Sequence, residues 1–452
     1  MNPRTIPKRA NNWQARLLAT LALMSCVGMP AAMAADFYVA TNGNDSNPGT
    51  QASPWRTIRR AGSALSAGDR VIVSAGVYSG QVTVANSGSA ENNRVVFEAA
   101  VGQSVVVDAG MSGHGFYLLG KNYVTIRGFE IRNAAPAGVL TDFNSSYVVV
   151  ENCYIHHIDS SSQGDNTGGI RFDGCDNCVA RNNVIYDVRV MGTYTQFANG
   201  SNSAGIHSFR GSNLRIENNE ISRAYNGVYH KQSAGIKGAI IQRNIIRDVT
   251  RGTYYSVAGA GDPRHFDQEL YENIFYRVTQ AVFADPYDAD TISRTFRIYN
   301  NVFDTDPKDE HGTISIAGFE DVRIRDNIFY VGSQDRSITT FRPSGAPLGW
   351  HIAESDRNIF YPVARFATNM YSGQAESTSL SAWQQNTNFD SNSFAADPQF
   401  VDRANRNYRL QPGSPGAGTG SIPGENIGAY RLGNEVIGPN RPRPNRPALT
   451  VQ

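Results

Sequence analysis

The residues best suited to chemistry crowd into one stretch. Ala204-Gly-Ile-His-Ser-Phe-Arg210 carries His207 and Arg210, and Asn226-Gly-Val-Tyr-His-Lys231 carries Tyr229, His230 and Lys231. Lysine is scarce, with four past residue 34, so a lysine set beside a tyrosine and a histidine stands out. An amine whose pKa is lowered by burial or by neighbouring cations can act as a general base, and a nearby tyrosine or histidine can supply a proton. Arginine can grip a carboxylate through two parallel donors. Lys231, His207, His230, Tyr229 and Arg264 are therefore the catalytic candidates, for removal of a proton from carbon beside a carboxylate and protonation of a leaving oxygen. Arg210, Arg171, Tyr255 and His265 are the candidates for holding substrate. Asp142 and Asp173 are candidate oxygen ligands, and Ca2+ is the cation they would take.

These side chains need a frame that lines them up, and the sequence supplies one. Seven segments share a pattern that usually opens with glycine, among them Gly138-Val-Leu-Thr-Asp, Gly169-Ile-Arg-Phe-Asp, Gly205-Ile-His-Ser-Phe and Gly227-Val-Tyr-His-Lys. Read as strands, they send Val139, Ile170, Ile206, Val228 and Val282 inward. Period two then turns Leu140, Arg171, His207, Tyr229 and Phe283 outward in one column, and Asp142, Asp173, Phe209, Lys231 and Asp285 in a second. Three segments without strand pattern, Asp159 to Thr167, Arg189 to Ser203 and Thr250 to Phe266, are long enough to wall a groove beside these columns.

A second block follows each such strand: alternating apolar residues, an asparagine, one residue, then Ile or Phe. Its asparagines are Asn183, Asn219, Asn244, Asn273, Asn301, Asn327 and Asn358, with Cys153 and Phe129 in the same place earlier. Successive members lie 24 to 36 residues apart, the interval of one solenoid turn with variable loops. An inward asparagine at a bend between strands satisfies backbone groups that no strand ladder can reach, which predicts a stacked ladder. The fold class expected is all-β: a single-stranded right-handed parallel β-helix with an N-terminal capping helix, Ser53-Pro54 starting that helix and Ile58, Ala61 and Leu65 facing inward.

Four basic residues, an apolar run from Leu17 to Met29 and Ala32-Met-Ala34 read as a secretory signal over 1–34, with Leu23-Met-Ser-Cys26 as an alternative lipoprotein site that would lipidate Cys26. The expected location is secreted or periplasmic. The β-helix is expected over 35–430, with cap and first coils at 35–110, regular coils at 111–362 and a closing segment at 363–430; a disordered tail follows at 431–452. Loss of the signal turns the formal charge from +1 to −3, which argues against nucleic acid as a partner. No later apolar run spans a membrane, and a monomer is expected. Cys153 is read as a buried small hydrophobe, and Cys175-Asp-Asn-Cys178 as a candidate disulfide.

The opening Tyr38-Val-Ala-Thr-Asn-Gly-Asn-Asp-Ser-Asn-Pro-Gly-Thr50, Pro54-Trp-Arg-Thr-Ile58, Gly68-Asp-Arg-Val-Ile72 and Gly76-Val-Tyr78, with the closing Asp397-Pro-Gln-Phe and Gly413-Ser-Pro415, resemble secreted bacterial β-helix proteins of the pectate-lyase-like superfamily. The resemblance leans toward polysaccharide lyases of the chondroitinase B and alginate lyase kind. It implies a lysine paired with an arginine, often with calcium, and an acidic, uronate-containing polysaccharide as the partner, cleaved by β-elimination. Asp262-Pro-Arg-His265 is similar to the Asp-Pro-His signature of alginate epimerases but for the added arginine. A non-catalytic glycan-binding β-helix, a glycoside hydrolase and a uronate epimerase are the alternatives on this fold.

Overall fold

The computed structural model describes residues 34–161, 166–190, 202–231, 237–257, 267–286, 293–305, 312–317, 319–332, 336–340, 352–362, 364–368 and 375–440. The expected signal segment with Cys26, the candidates Arg264 and His265, and the last twelve residues of the chain lie outside the described residues.

The chain winds as a parallel β-helix. One face is a sheet of 12 strands running in sequence order from Asp36–Val39 to Ile352–Asp356. The other strands of each turn merge into a second sheet of 20 strands. In the middle coils the bend between two strands is bridged without a break, giving Glu220–Lys231, Ile245–Val257 and Ile274–Pro286. This continuity holds Glu220, Ile245 and Ile274 in register at one end and His230, Tyr255 and Ala284 at the other.

Two local devices make the bends. The residue before each ladder position from Asn152 to Arg357 has φ between 51° and 56°; five of these eight are asparagine or aspartate, which tolerate the left-handed region better than most, and Arg243, Glu272 and Arg357 hold it too. The ladder asparagine then turns inward. Asn244 Oδ1 accepts from Asn219 N at 2.9 Å and from Asn219 Nδ2 at 3.0 Å, while Asn244 Nδ2 donates to Ile216 O at 2.8 Å and to Asn273 Oδ1 at 3.0 Å. The same bonds link Asn183 to Asn219 and continue through Asn273, Asn301, Asn327 and Asn358. Cys153, buried in the core, donates its N–H to Asn183 Oδ1 at 2.9 Å. At the far end Asn358 Nδ2 donates to Asp390 Oδ1 at 2.9 Å, and Ser355, Ser393 and Trp383 also donate to that buried carboxylate. Burial pushes the Asp390 carboxyl up and these donors oppose it.

The glycines opening the strands form a column of close approach. A Cβ on Gly169 would lie 2.4 Å from Ile185 Cγ2 and 2.7 Å from Gly205 O, and Gly138 and Gly227 are equally confined. Cys175 and Cys178 form the expected disulfide beside the short Ser145–Ser146 pairing.

Three expectations need correction at the ends of the coil. The capping helix is Ile58–Ala64, and its N-cap is Thr57, whose side chain accepts from Arg60 N; Ser53 and Pro54 are held in turns and bridges instead. Asp45 fixes this start by accepting from Arg56 N, Thr57 N and the Thr57 hydroxyl. A second helix, Leu380–Thr387, closes the other end, with Trp383 stacked on Phe366 at 4.6 Å. Its mostly polar sequence carries little helical periodicity. The closing segment then runs back along the coil, and it stays ordered past 430: Arg431 bonds Glu425 and Glu272, and Gly438 N donates to Arg243 O at 2.8 Å. The disordered tail expected from 431 therefore does not begin there.

Replacing Asn244 by leucine orphans the Asn219 N–H and the Ile216 carbonyl, each worth about 1–3 kcal/mol when buried without a partner. Asn244→Leu should lose about 3 kcal/mol or more and show a clearly lower melting temperature in thermal unfolding.

Candidate functional site

The register builds the first outward column as expected: Leu140, Arg171, His207 and Tyr229 occupy successive coils at the same position. Tyr254 follows Tyr229 and precedes Phe283, a member absent from the sequence reading. It was missed because Thr253 takes the inward place that Val or Ile fills elsewhere, so 250–257 read as part of a loop rather than as strand. Gly252, confined against Ala281 O like its counterparts, was the signal available. In the second column Asp173, Phe209 and Lys231 are aligned neighbours.

Four charged or titratable groups meet here. Arg171 Nη2 donates to Asp173 Oδ2. Asp173 Oδ1 lies 3.7 Å from His207 Nδ1, an electrostatic contact rather than a formed hydrogen bond. Lys231 Nζ donates to Asn166 Oδ1 at 2.6 Å. Burial, and then the Arg171 charge, hold the Lys231 amine below its ordinary value, with Asp173 opposing. Burial alone would raise Asp173, but His207 and Arg171 outweigh it and keep the carboxyl below the usual range. Burial keeps His207 neutral, with its ring fully enclosed.

Aromatic rings continue the column toward the next coils, with Tyr229 and Phe283 nearly buried. Tyr229 lies edge-on to His207 at 5.2 Å and stacks on Tyr254 at 4.5 Å. The Arg251 guanidinium sits 4.4 Å from the rings of both Tyr254 and Phe283. Burial, reinforced by Tyr254, raises the Tyr229 hydroxyl, so it stays protonated at neutral pH.

Two candidates are on the wrong side of the strand. His230 faces inward, fully buried, its Nδ1 2.6 Å from Ser208 Oγ and its ring 5.0 Å from Tyr255. Tyr255 also points into the core, packed on Phe296 at 4.7 Å, and offers no platform to a ligand. Alternation explains both: one residue past an outward Tyr229 or Tyr254 must be inward. Arg210 is exposed in the left-handed turn after its strand, over the Phe209 ring at 5.3 Å.

The calcium expectation does not fit the donors. Asp173 is committed to Arg171, and the Asp142 carboxylate accepts from Phe143 N at 2.9 Å. Among the described residues no three His, Cys, Asp or Glu side chains are grouped so as to hold a metal ion. Asp142 is pushed up, first by burial and then by the Asp173 charge. His114, not singled out by its sequence context, lies within electrostatic reach of Arg171 and Asp173, its Nδ1 lacking a hydrogen-bond partner.

With this geometry in view, residues 37–229 match a family model described as Pel9A-like, right handed beta helix region. The uncharacterized protein YwoF of Bacillus subtilis (strain 168) is 23% identical over 443 residues, covering 84% of this chain and 91% of that protein. The crystal structure of pectate lyase Pel9A superposes with a TM-score of 0.53 at 15% identity, over 88% of this chain and 97% of the other. The GH136 lacto-N-biosidase from Eubacterium ramulus gives a TM-score of 0.47 at 14% identity, over 80% and 67%. The family-model match and the Pel9A superposition establish the fold, a right-handed parallel β-helix as expected. Among the described residues no helix is long and apolar enough to cross a membrane.

Burial and the Arg171 charge hold His114 down to about 4 from an ordinary 6.5. The unfolded chain therefore takes up this proton first as pH falls, and the stability His114 contributes is complete above 6.5 and lost on the way down to 4. Allowing for its partial exposure, His114→Gln should remove about 2 kcal/mol of acid sensitivity across that window, read as a flatter pH dependence of urea unfolding.

Proposed function

We propose that the protein is a polysaccharide lyase that cleaves a uronate-containing chain by β-elimination at the surface formed by Arg171, Asp173, Tyr229 and Lys231. The observation carrying this reading is a half-buried lysine, its amine pKa lowered, two coils from an arginine on the same outward face. Arg171 uses one nitrogen on Asp173 and has others to offer a substrate carboxylate, whose neutralisation acidifies the adjacent C5 proton. Lys231 in its neutral form takes that proton. The C5–H electron pair becomes the C4–C5 double bond as the C4–O bond breaks, and the Tyr229 hydroxyl protonates the departing oxygen. His207, enclosed between Asp173 and the Tyr229 ring, is a positioning residue in this scheme: it packs against both and holds them beside Lys231. The likeness to the structure of a pectate lyase supports a carbohydrate as the substrate class.

A glycoside hydrolase is the second reading, favoured by one observation. Asp142 is pushed up while the nearby Asp173 is held down, the division of labour that acid-assisted hydrolysis requires of two carboxyl groups.

Incubation with pectate, alginate and glycosaminoglycans should release an unsaturated uronate seen by its ultraviolet absorbance. Lys231→Ala should lower kcat by about a thousand-fold with the fold intact by circular dichroism. Cleavage without the chromophore, abolished by Asp142→Asn, would establish the hydrolase instead. For the lyase, kcat/KM should rise with pH around a midpoint below the ordinary lysine value of 10.5. Asp173→Asn removes an anion that favours the ammonium form, so the midpoint should move to lower pH.

A further inference from the structure

A cleft lies on the other side of the strand bend, where the returning closing segment crosses the coil. The outward column there is Ser222, Arg247, Tyr276 and Asp304. Over it the segment lays Arg406, Tyr408 and Tyr430, enclosing a cavity of about 410 Å³. A second cavity of about 260 Å³ shares Tyr276, Arg277, Arg406 and Tyr408 and extends toward Arg403, so the two adjoin across these side chains.

The charges of this groove are unequal. Glu220 and Asp248 are bonded by Arg247 at 2.7 and 2.5 Å, Asp248 also by Arg277 at 2.6 Å, and Asp304 by Arg403 at 2.7 Å. Arg406 is left over: among the described residues its guanidinium has no ion pair, and it lies 4.8 Å from the Tyr276 ring centroid. Tyr408 donates its hydroxyl to Asp304 Oδ2 at 2.7 Å, which fixes one wall. An exposed, unpaired guanidinium held against the Tyr276 ring at a walled groove of ligand size recognises an anionic group on a ligand lying in that groove, whose walls include the nearly buried Tyr276 and Tyr408.

We infer that this groove is a second, non-catalytic saccharide site, in which Arg406 binds the carboxylate or sulfate of an acidic sugar residue lying in the cavity beneath the closing segment. It rests on the proposed function only for the class of ligand. Its position across the bend from Lys231 means that a chain held here is anchored away from the reacting bond.

The test is binding, measured by calorimetry on the full chain carrying Lys231→Ala so that nothing is consumed. The probes are galacturonate, glucuronate and mannuronate oligosaccharides, dextran sulfate, and neutral dextran. At least one acidic probe should bind in a salt-sensitive way and dextran should not. Arg406→Ala should weaken that binding about tenfold, with Arg406→Lys between the two because charge is kept and the planar fork is lost. Binding unchanged in Arg406→Ala, but lost on Arg171→Ala, would confine acidic saccharides to the Lys231 face and overturn the second site. Absence of binding by every acidic probe would overturn it too. Arg406-dependent binding by a protein that cleaves none of the polymers would uphold the site while removing the lyase reading.

Discussion

A coil of short strands must satisfy the backbone groups at each internal bend, because water cannot reach them and the strand ladders stop short of them. The asparagine ladder meets that demand. Each amide accepts from the coil before and donates to the coil after, so Asn183 through Asn358 fix the rise and the rotation of every turn between them. The outward columns inherit that regularity. Arg171, His207 and Tyr229 line up because the inward asparagines one bend away do.

The same regularity decides what the surface can do. Chemistry on a strand face needs side chains at every second residue and in neighbouring coils, and it excludes the residues between. Lys231 and Tyr229 therefore share a face while His230, between them, is given to the core with Ser208 and Tyr255. Uncoupled from catalysis, His230 is a core polar group whose hydrogen bond to Ser208 replaces packing that Val or Ile supplies in other columns.

Much of this was legible in the sequence. The ladder asparagines, the glycine-opened strands and the columns of Arg171, His207 and Tyr229 follow from spacing alone, since repetition reveals a period that a single segment cannot. What spacing does not carry is the choice of inward polar residues. Thr253 in an apolar column hid one strand, and with it the true sides of Tyr254 and Tyr255. The pairing of Arg171 with Asp173, which removes calcium from the likeliest donors, depends on side-chain conformation rather than position. The helix carrying Trp383 and the returning closing segment were hidden for another reason: neither belongs to the repeat, and the closing segment's partners are more than a hundred residues away, as Arg431 and Glu272 show.

The ladder also has a direction. Every amide in it presents its NH2 to the following coil and its carbonyl to the preceding one, so seven dipoles add head to tail along the axis. The positive end of this column falls at Asn358 and is met by Asp390, on whose two oxygens four donors converge and oppose the rise in pKa that burial imposes. Asp390 is thus the acceptor that ends a polarised rod, and its last rung. Such a rod lengthens or shortens by whole turns, because each turn contributes one asparagine whose NH2 must meet the carbonyl of the next.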